Sequence, residues 1–222
     1  MFLIALKKIL FYGILGCVIF PLYVRTQDTT DDLLSREVFN VSLQGNTVHQ
    51  ILSDLAVNNN IPIGFDNVLG GNPPCRLKRR IDFHIAEITV GDLFRRIMSS
   101  TSDCDWKIDD EVINVFSKKE TSRFSDIVIG NIEIPRGLSK EGIKEGIIKS
   151  PEVNAALSSQ GLRLTAMFTS ISQTEPVSDS FSLSCHNIPL RTILNEIVKS
   201  GNSKYWNLSN WGNDKRMVFL NF

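Results

Sequence analysis

Residues 39–66 read FNVSLQGNTVHQILSDLAVNNNIPIGFD, and two periodicities meet inside that stretch. Phe39, Val41 and Leu43 alternate with polar residues, as one face of a half-buried strand does. After the turn-forming Gly45-Asn46-Thr47, the apolar residues Val48, Ile51, Leu52 and Leu55 fall at helical spacing, and Ile61-Pro62-Ile63-Gly64-Phe65 follows as a second strand. Thr47 stands where a helix needs an N-cap. A strand, a helix and a strand are therefore written into this one segment.

The same offsets recur at Ile81, Phe83, Ile85, Val90, Leu93, Phe94 and Ile97, and again at Phe181, Leu183, Cys185, Leu190, Ile193, Leu194 and Ile197. Such self-similarity is the mark of an internal repeat. Thr89 is placed to cap the second helix, and Pro189 suits the first turn of the third. The second and third units continue into hairpins. Trp106-Lys107-Ile108 turns through Asp109-Asp110-Glu111 into Val112–Phe116, and Tyr205–Leu208 turns through residues 211–214 into Met217–Leu220. Strand material at 127–134, a helix over Ser139–Ile148 capped by Ser139, a helical piece from Pro151 to Leu157 and a strand over Leu162–Phe168 make a diverged fourth unit.

These elements predict an α+β chain of two small α/β sandwich domains. Each has the order β-α-β-β-α-β-β, with its helices packed on one face of its sheet. Residues 1–25 form a targeting segment, 37–117 the first domain, 118–126 a polar linker and 127–222 a second, diverged copy.

Composition supports a globular chain. Of 222 residues 42% are apolar and 22% charged, with 24 Lys+Arg against 24 Asp+Glu, which leaves no net field to recruit nucleic acid. The N-terminus reads MFLIALKKILFYGILGCVIFPLYVR, two lysines followed by an uncharged run from Ile9 to Val24. That is an export signal or a short membrane anchor. Weak cleavage signals favour the anchor, through residues 1–24, and Ile14-Leu15-Gly16-Cys17 is an approximate lipobox that offers a lipid-anchored or secreted alternative. The charge pattern places the rest of the chain beyond the inner membrane.

Three cysteines remain after Cys17. Cys75 and Cys104 each precede a strand of the same half, which makes them the preferred disulfide pair; three unpaired thiols are the competing reading. Arg76, Lys78, Arg79 and Arg80 form the only basic cluster, read as a contact for an acidic partner or lipid headgroups, or as a solvated surface. Trp206 and Trp211 are read as an aromatic contact surface for a sugar or peptide, or as strand residues packing a sheet.

No motif for catalysis or for a metal or organic cofactor is present, and none is expected. His49 is expected on the exposed side of its helix, His84 on the outer face of its strand and His186 in a turn. Asp109-Asp110-Glu111 reads as turn chemistry rather than an acid pair for catalysis.

Residues 38–117 resemble the short N-terminal domain shared by outer-membrane secretins and TonB-dependent receptors. The resemblance rests on the stretch 39–66, on IDFHIAEITVGDLFRRIMSSTSDCDWKIDDEVINVF at 81–116, and on the half-motif FSLSCHNIPLRTILNEIVKSGNSKYWNLSN at 181–210. The matching positions are apolar: Val41, Leu43, Val48, Ile51, Leu52, Leu55, Ile85, Val90, Leu93 and Ile97. They imply a shared core and carry no catalytic residue. The resemblance implies a non-enzymatic, periplasmic protein-protein interaction module of the bacterial envelope, an adaptor or signalling component for outer-membrane transport or secretion. Its expected partners are other envelope proteins, with self-association open. With Phe222 as the last residue, a stand-alone pair of domains is expected rather than a pore or barrel. The alternative is an anchored receptor that binds a small molecule or cell-wall fragment between its two domains.

Overall fold

The computed structural model describes residues 28–67, 75–118, 123–159, 161–166, 182–201, 203–210 and 217–221. The targeting segment 1–25 and Trp211 lie outside the described residues. Among the described residues no helix is long and apolar enough to cross a membrane.

The first half runs α1 (Asp28–Ser35), β1 (Glu37–Gly45), α2 (Val48–Asn59), β2 (Ile63–Asn67), β3 (Arg76–Leu77), β4 (Ile81–Thr89), α3 (Val90–Ser99), β5 (Thr101–Ser102), β6 (Cys104–Asp109) and β7 (Val112–Ser117). The second runs β8 (Val128–Ile134), α4 (Lys140–Ile148), α5 (Pro151–Ser159), β9 (Arg163–Ala166), β10 (Leu183–Pro189), α6 (Leu190–Lys199), β11 (Tyr205–Asn210) and β12 (Met217–Asn221). The chain is an α+β protein.

Local chemistry sets the helix starts. Thr47, Thr89 and Ser139 each accept, on the side-chain oxygen, the backbone N–H three residues on, at 3.1, 3.2 and 3.1 Å. Pro189 sits one place earlier than expected, as the residue before α6, and has no side-chain cap to offer. The first amide of α6 instead donates to the Ile127 carbonyl at 2.8 Å, as the first amide of α3 donates to that of Arg36 at 2.9 Å. Both helices are thus pinned to the residue that precedes the first strand of their own half. In the β6–β7 hairpin Asp110 and Glu111 take φ of 56° and 62°, as a two-residue primed turn requires.

The strands assemble differently from the expected sheet-per-domain plan. The leading strands leave the main sheet and pair with each other, β1 with β4 and β8 with β10, as two antiparallel ribbons. The remaining long strands form one six-stranded sheet, β6-β7-β2-β11-β12-β9, which runs through both halves. Its central joint is parallel pairing of β2 with β11, from Ile63 opposite Tyr205 to Asn67 opposite Ser209. The sheet does not stop at the boundary between the repeats.

Register explains the layers. Ile63, Phe65, Trp106, Ile108, Ile113 and Val115 share one face, and they cluster with α2, α3 and the inner side of the β1–β4 ribbon. Trp206, Leu208, Val218 and Leu220 cluster on the opposite face with α4, α5, α6 and the β8–β10 ribbon. The layers are ribbon, helices, sheet, helices, ribbon. Strand order within each half is the same, hairpin first and lone strand last, but the directions and the helix-bearing face are reversed. A half-turn about an axis across the strands relates them, so the joint is head-to-tail: the lone-strand edge of one copy meets the hairpin edge of the other.

Gly64 lies opposite Trp206 in this joint, and a Cβ built on it would stand 2.3 Å from the indole. Only glycine lets the ring lie across β2. The stretch 118–126, expected as a linker, ends in a 3-10 turn over Phe124–Asp126. Phe124 is buried in the second core, and the Ser125 amide donates to Asp66 Oδ2 at 2.8 Å.

Candidate functional site

Three places concentrate polar or exposed chemistry: a buried clamp between the halves, a cleft beside it and the outer ribbons. The clamp begins at Arg191 on α6, whose side chain is 11% exposed. Its Nε–H donates to Asp109 Oδ2 at 2.8 Å, and Nη1 pairs with Asp126. One turn on, Asn195 donates through Nδ2 to the Asp109 carbonyl at 2.9 Å, while its Oδ1 accepts the Trp206 indole N–H at 2.8 Å. A helix of the second half is therefore tied to a hairpin of the first. Burial holds the Lys107 ammonium below its ordinary range, with Arg191 acting in the same direction and Asp109 opposing. The arrangement satisfies charges that would otherwise be costly to bury, which is structural chemistry.

The cleft has a volume of about 360 Å³, within the range of small-molecule sites. It is lined by Arg36 beyond α1, Asn60-Ile61-Pro62 beyond α2, Glu111 from the β6–β7 turn, and Lys199 and Lys204 around the end of α6. Asn60 caps α2 in the left-handed region, φ 52°, and organises the wall. Its carbonyl accepts from Arg36 Nη2 at 3.1 Å and its side-chain oxygen from Lys204 Nζ at 2.7 Å. Cations gather here because three helices, α1, α2 and α6, end here, where carbonyl oxygens point outward. A second hollow against Asp32, Leu33, Arg36 and Glu111 extends it.

The ribbons offer backbone. Among the described residues neither ribbon has a third strand, so the outer edges of β1, β4, β8 and β10 are unpaired. Phe39 on β1 is 57% exposed and Val128 on β8 is 53% exposed. Each ribbon ladder has one gap without a change of register, at Asn40 of β1 and at Asn187 of β10, which adopt φ of 52° and 53°.

The residues singled out from sequence are not brought together. Trp206 is a correction: it is fully buried across Gly64 and bonded to Asn195, so it offers no contact surface. Arg76, Lys78, Arg79 and Arg80 are exposed around β3, with Lys78 Nζ donating to the Ser99 carbonyl at 3.3 Å. Cys75 and Cys104 are both buried in the first core as thiols. His49 is a second correction. It packs against Phe65 and Tyr205, at ring separations of 6.4 and 6.1 Å, because the second half supplies a strand beneath its helix. Burial lowers its pKa, with Asp54 opposing. His84 and His186 are exposed on their ribbons. Asp109 serves in the clamp as well as the turn. No group of three His, Cys, Asp or Glu among the described residues is placed to hold a metal ion.

Sequence reasoning missed Arg191, Asn195 and the cleft. Two polar residues one turn apart on an otherwise apolar helix face, Arg191 and Asn195 beside Leu190, Ile193, Leu194 and Ile197, were the available signal. Comparison with family models, with curated proteins and with solved structures finds no match to this chain.

Proposed function

We propose that the chain is a non-enzymatic protein-protein interaction module of the bacterial envelope, an adaptor or signalling component of an outer-membrane transport or secretion system. It works from the periplasm, held at the inner membrane by residues 1–24. The observation that carries this reading is the pair of two-stranded ribbons whose outer edges are unpaired among the described residues, with a large apolar side chain exposed on each, Phe39 and Val128. A partner segment adds to such an edge as a further strand, with backbone hydrogen bonds giving affinity and the exposed side chain giving register. The resemblance of residues 38–117 to the secretin and TonB short N-terminal domain points the same way.

The test is in-cell photo-crosslinking from position 39 and, separately, from position 128 of the full-length protein. Recovery of an outer-membrane channel, receptor or secretion component from either position supports the reading. Self-crosslinks alone at native abundance contradict it. The cleft favours a second reading, a receptor for a small ligand or cell-wall fragment. Arg36, Lys199 and Lys204 beside the apolar Ile61, Pro62 and Val198 suit a carboxylate on a short apolar body.

A further inference from the structure

Cys75 and Cys104 arrive at one spot by independent routes. Cys104 opens β6 and stands opposite Ser117 of β7. Cys75 comes from the segment before β3, and its Sγ lies 3.5 Å from the carbonyl oxygen of Phe116, the residue next to Ser117. The Cys104 Sγ lies 3.5 Å from the Ser102 carbonyl on its other side. Phe116 and Ser117 are neighbours on β7, so the strand that pairs with Cys104 is the one that Cys75 meets. Both are buried, at 6% and 3% exposure, within the first core. Among the described residues no third ligand joins them to make a metal site.

We propose that Cys75 and Cys104 form an intramolecular cystine by thiol–disulfide exchange with a protein or small-molecule disulfide as oxidant. The Cys104 thiolate attacks one sulfur of the oxidant, and its S–S bond breaks to release one thiolate. The Cys75 thiolate then attacks the Cys104 sulfur and displaces the second. The two protons lost by the cysteines end on the two released thiolates, so two thiols and one disulfide become one disulfide and two thiols. Cys75 lowers the Cys104 pKa against the opposing effect of burial, which favours the Cys104 thiolate. The bond closes the stretch from Cys75 to Cys104, which contains β4 and α3, and fastens it to the β6–β7 hairpin. Cys185, on the ribbon of the other half, is an internal control, since burial raises its pKa and no second cysteine of the described residues stands beside it. The inference does not depend on the proposed partner or compartment.

The test equilibrates the full chain, in mild detergent, with reduced and oxidised glutathione, quenches with an alkylating agent, and maps peptides without reduction. Expected are a linked Cys75–Cys104 peptide with a mass loss of about 2 Da and alkylated Cys185. Thermal melting rises by about 5–10 °C on oxidation, and Cys75→Ser and Cys104→Ser each abolish that rise. Alkylation of both cysteines after denaturation from an oxidising buffer overturns the proposal. So does linkage of either one to Cys185 or to another chain.

Discussion

The β6–β7 and β11–β12 hairpins are the same unit in two settings. Trp106 and Ile108 on one correspond to Trp206 and Leu208 on the other, each pair 16 and 18 residues beyond the first residue of its helix. The first hairpin ends the sheet, while the second sits in its middle with β2 alongside. The residues between the shared apolar positions differ accordingly. At the edge they are Asp105, Lys107 and Asp109. In the middle they are Tyr205, Asn207 and Ser209, of which Asn207 and Ser209 are buried and joined by a 3.1 Å hydrogen bond. The Asp105 carboxylate also accepts the Trp106 backbone N–H at 2.9 Å, an amide of the outer edge. One hairpin is built to be covered and the other to end the sheet, and three alternate side chains make the difference.

Truncating the two tryptophans probes that comparison most severely. Trp206→Ala removes a fully buried ring and leaves Asn195 Oδ1 without its donor. It is expected to cost about 3–5 kcal/mol in urea unfolding. Trp106→Ala, at a half-buried ring packed on Phe94 at 5.7 Å, is expected to cost about half as much. Equal losses would mean that the central position is no more enclosed than the edge.

Exchanging the alternate residues comes next. Asn207→Lys places an unpaired charge under the sheet and is expected to destabilise by on the order of 3 kcal/mol. The reciprocal Lys107→Asn is expected to cost under about 1 kcal/mol and to increase self-association in sedimentation velocity, because it removes an edge charge. Gly64→Ala forces a Cβ into the indole and should lower stability by about 1–3 kcal/mol. The same change at Gly146, inside α4 where nothing lies within 4 Å, is the control of opposite sign and should raise stability by about 0.5–1 kcal/mol.

The smallest effect concerns His49, which touches a ring from each half. Its pKa is lowered in the folded chain, so the unfolded chain takes up the proton first as the pH falls. Its contribution is unimpaired above about 6.5 and declines as the pH drops below that value. His49→Phe should flatten the slope of the urea midpoint between pH 7 and 5.5. An unchanged slope would place the titration elsewhere.

Much of the local structure was legible in the sequence. The helices over 48–59, 90–99 and 190–199 follow from apolar spacing, and Thr47, Thr89 and Ser139 mark starts that the chain uses. The pairing of strands across the repeats was not legible. A hairpin carries its register in its turn, whereas β2 and β11 meet with most of the chain between them and no turn to align them. Trp206 admits both a surface and a packing reading from sequence, because composition and spacing do not say which face of β11 is covered. The helical spacing of Val48 and Ile51 points His49 outward from its own half, and Tyr205 of the other half covers it. For His49 the missing information is which strand of the other repeat lies alongside, whereas Trp206 is enclosed largely by its own half, through α6 and the second core. The exposed basic cluster at 76–80, by contrast, needed no long-range information.

Unity of the two halves across the β2–β11 joint is tested most directly by native-state hydrogen exchange along a urea series, read at 63–67 and 205–210. Expected is one shared opening free energy for both strands, equal to that of global unfolding, with Gly64→Ala lowering both together. Exchange from β11 at a free energy well below that of β2, or a urea range in which one half is open and the other protected, would contradict it.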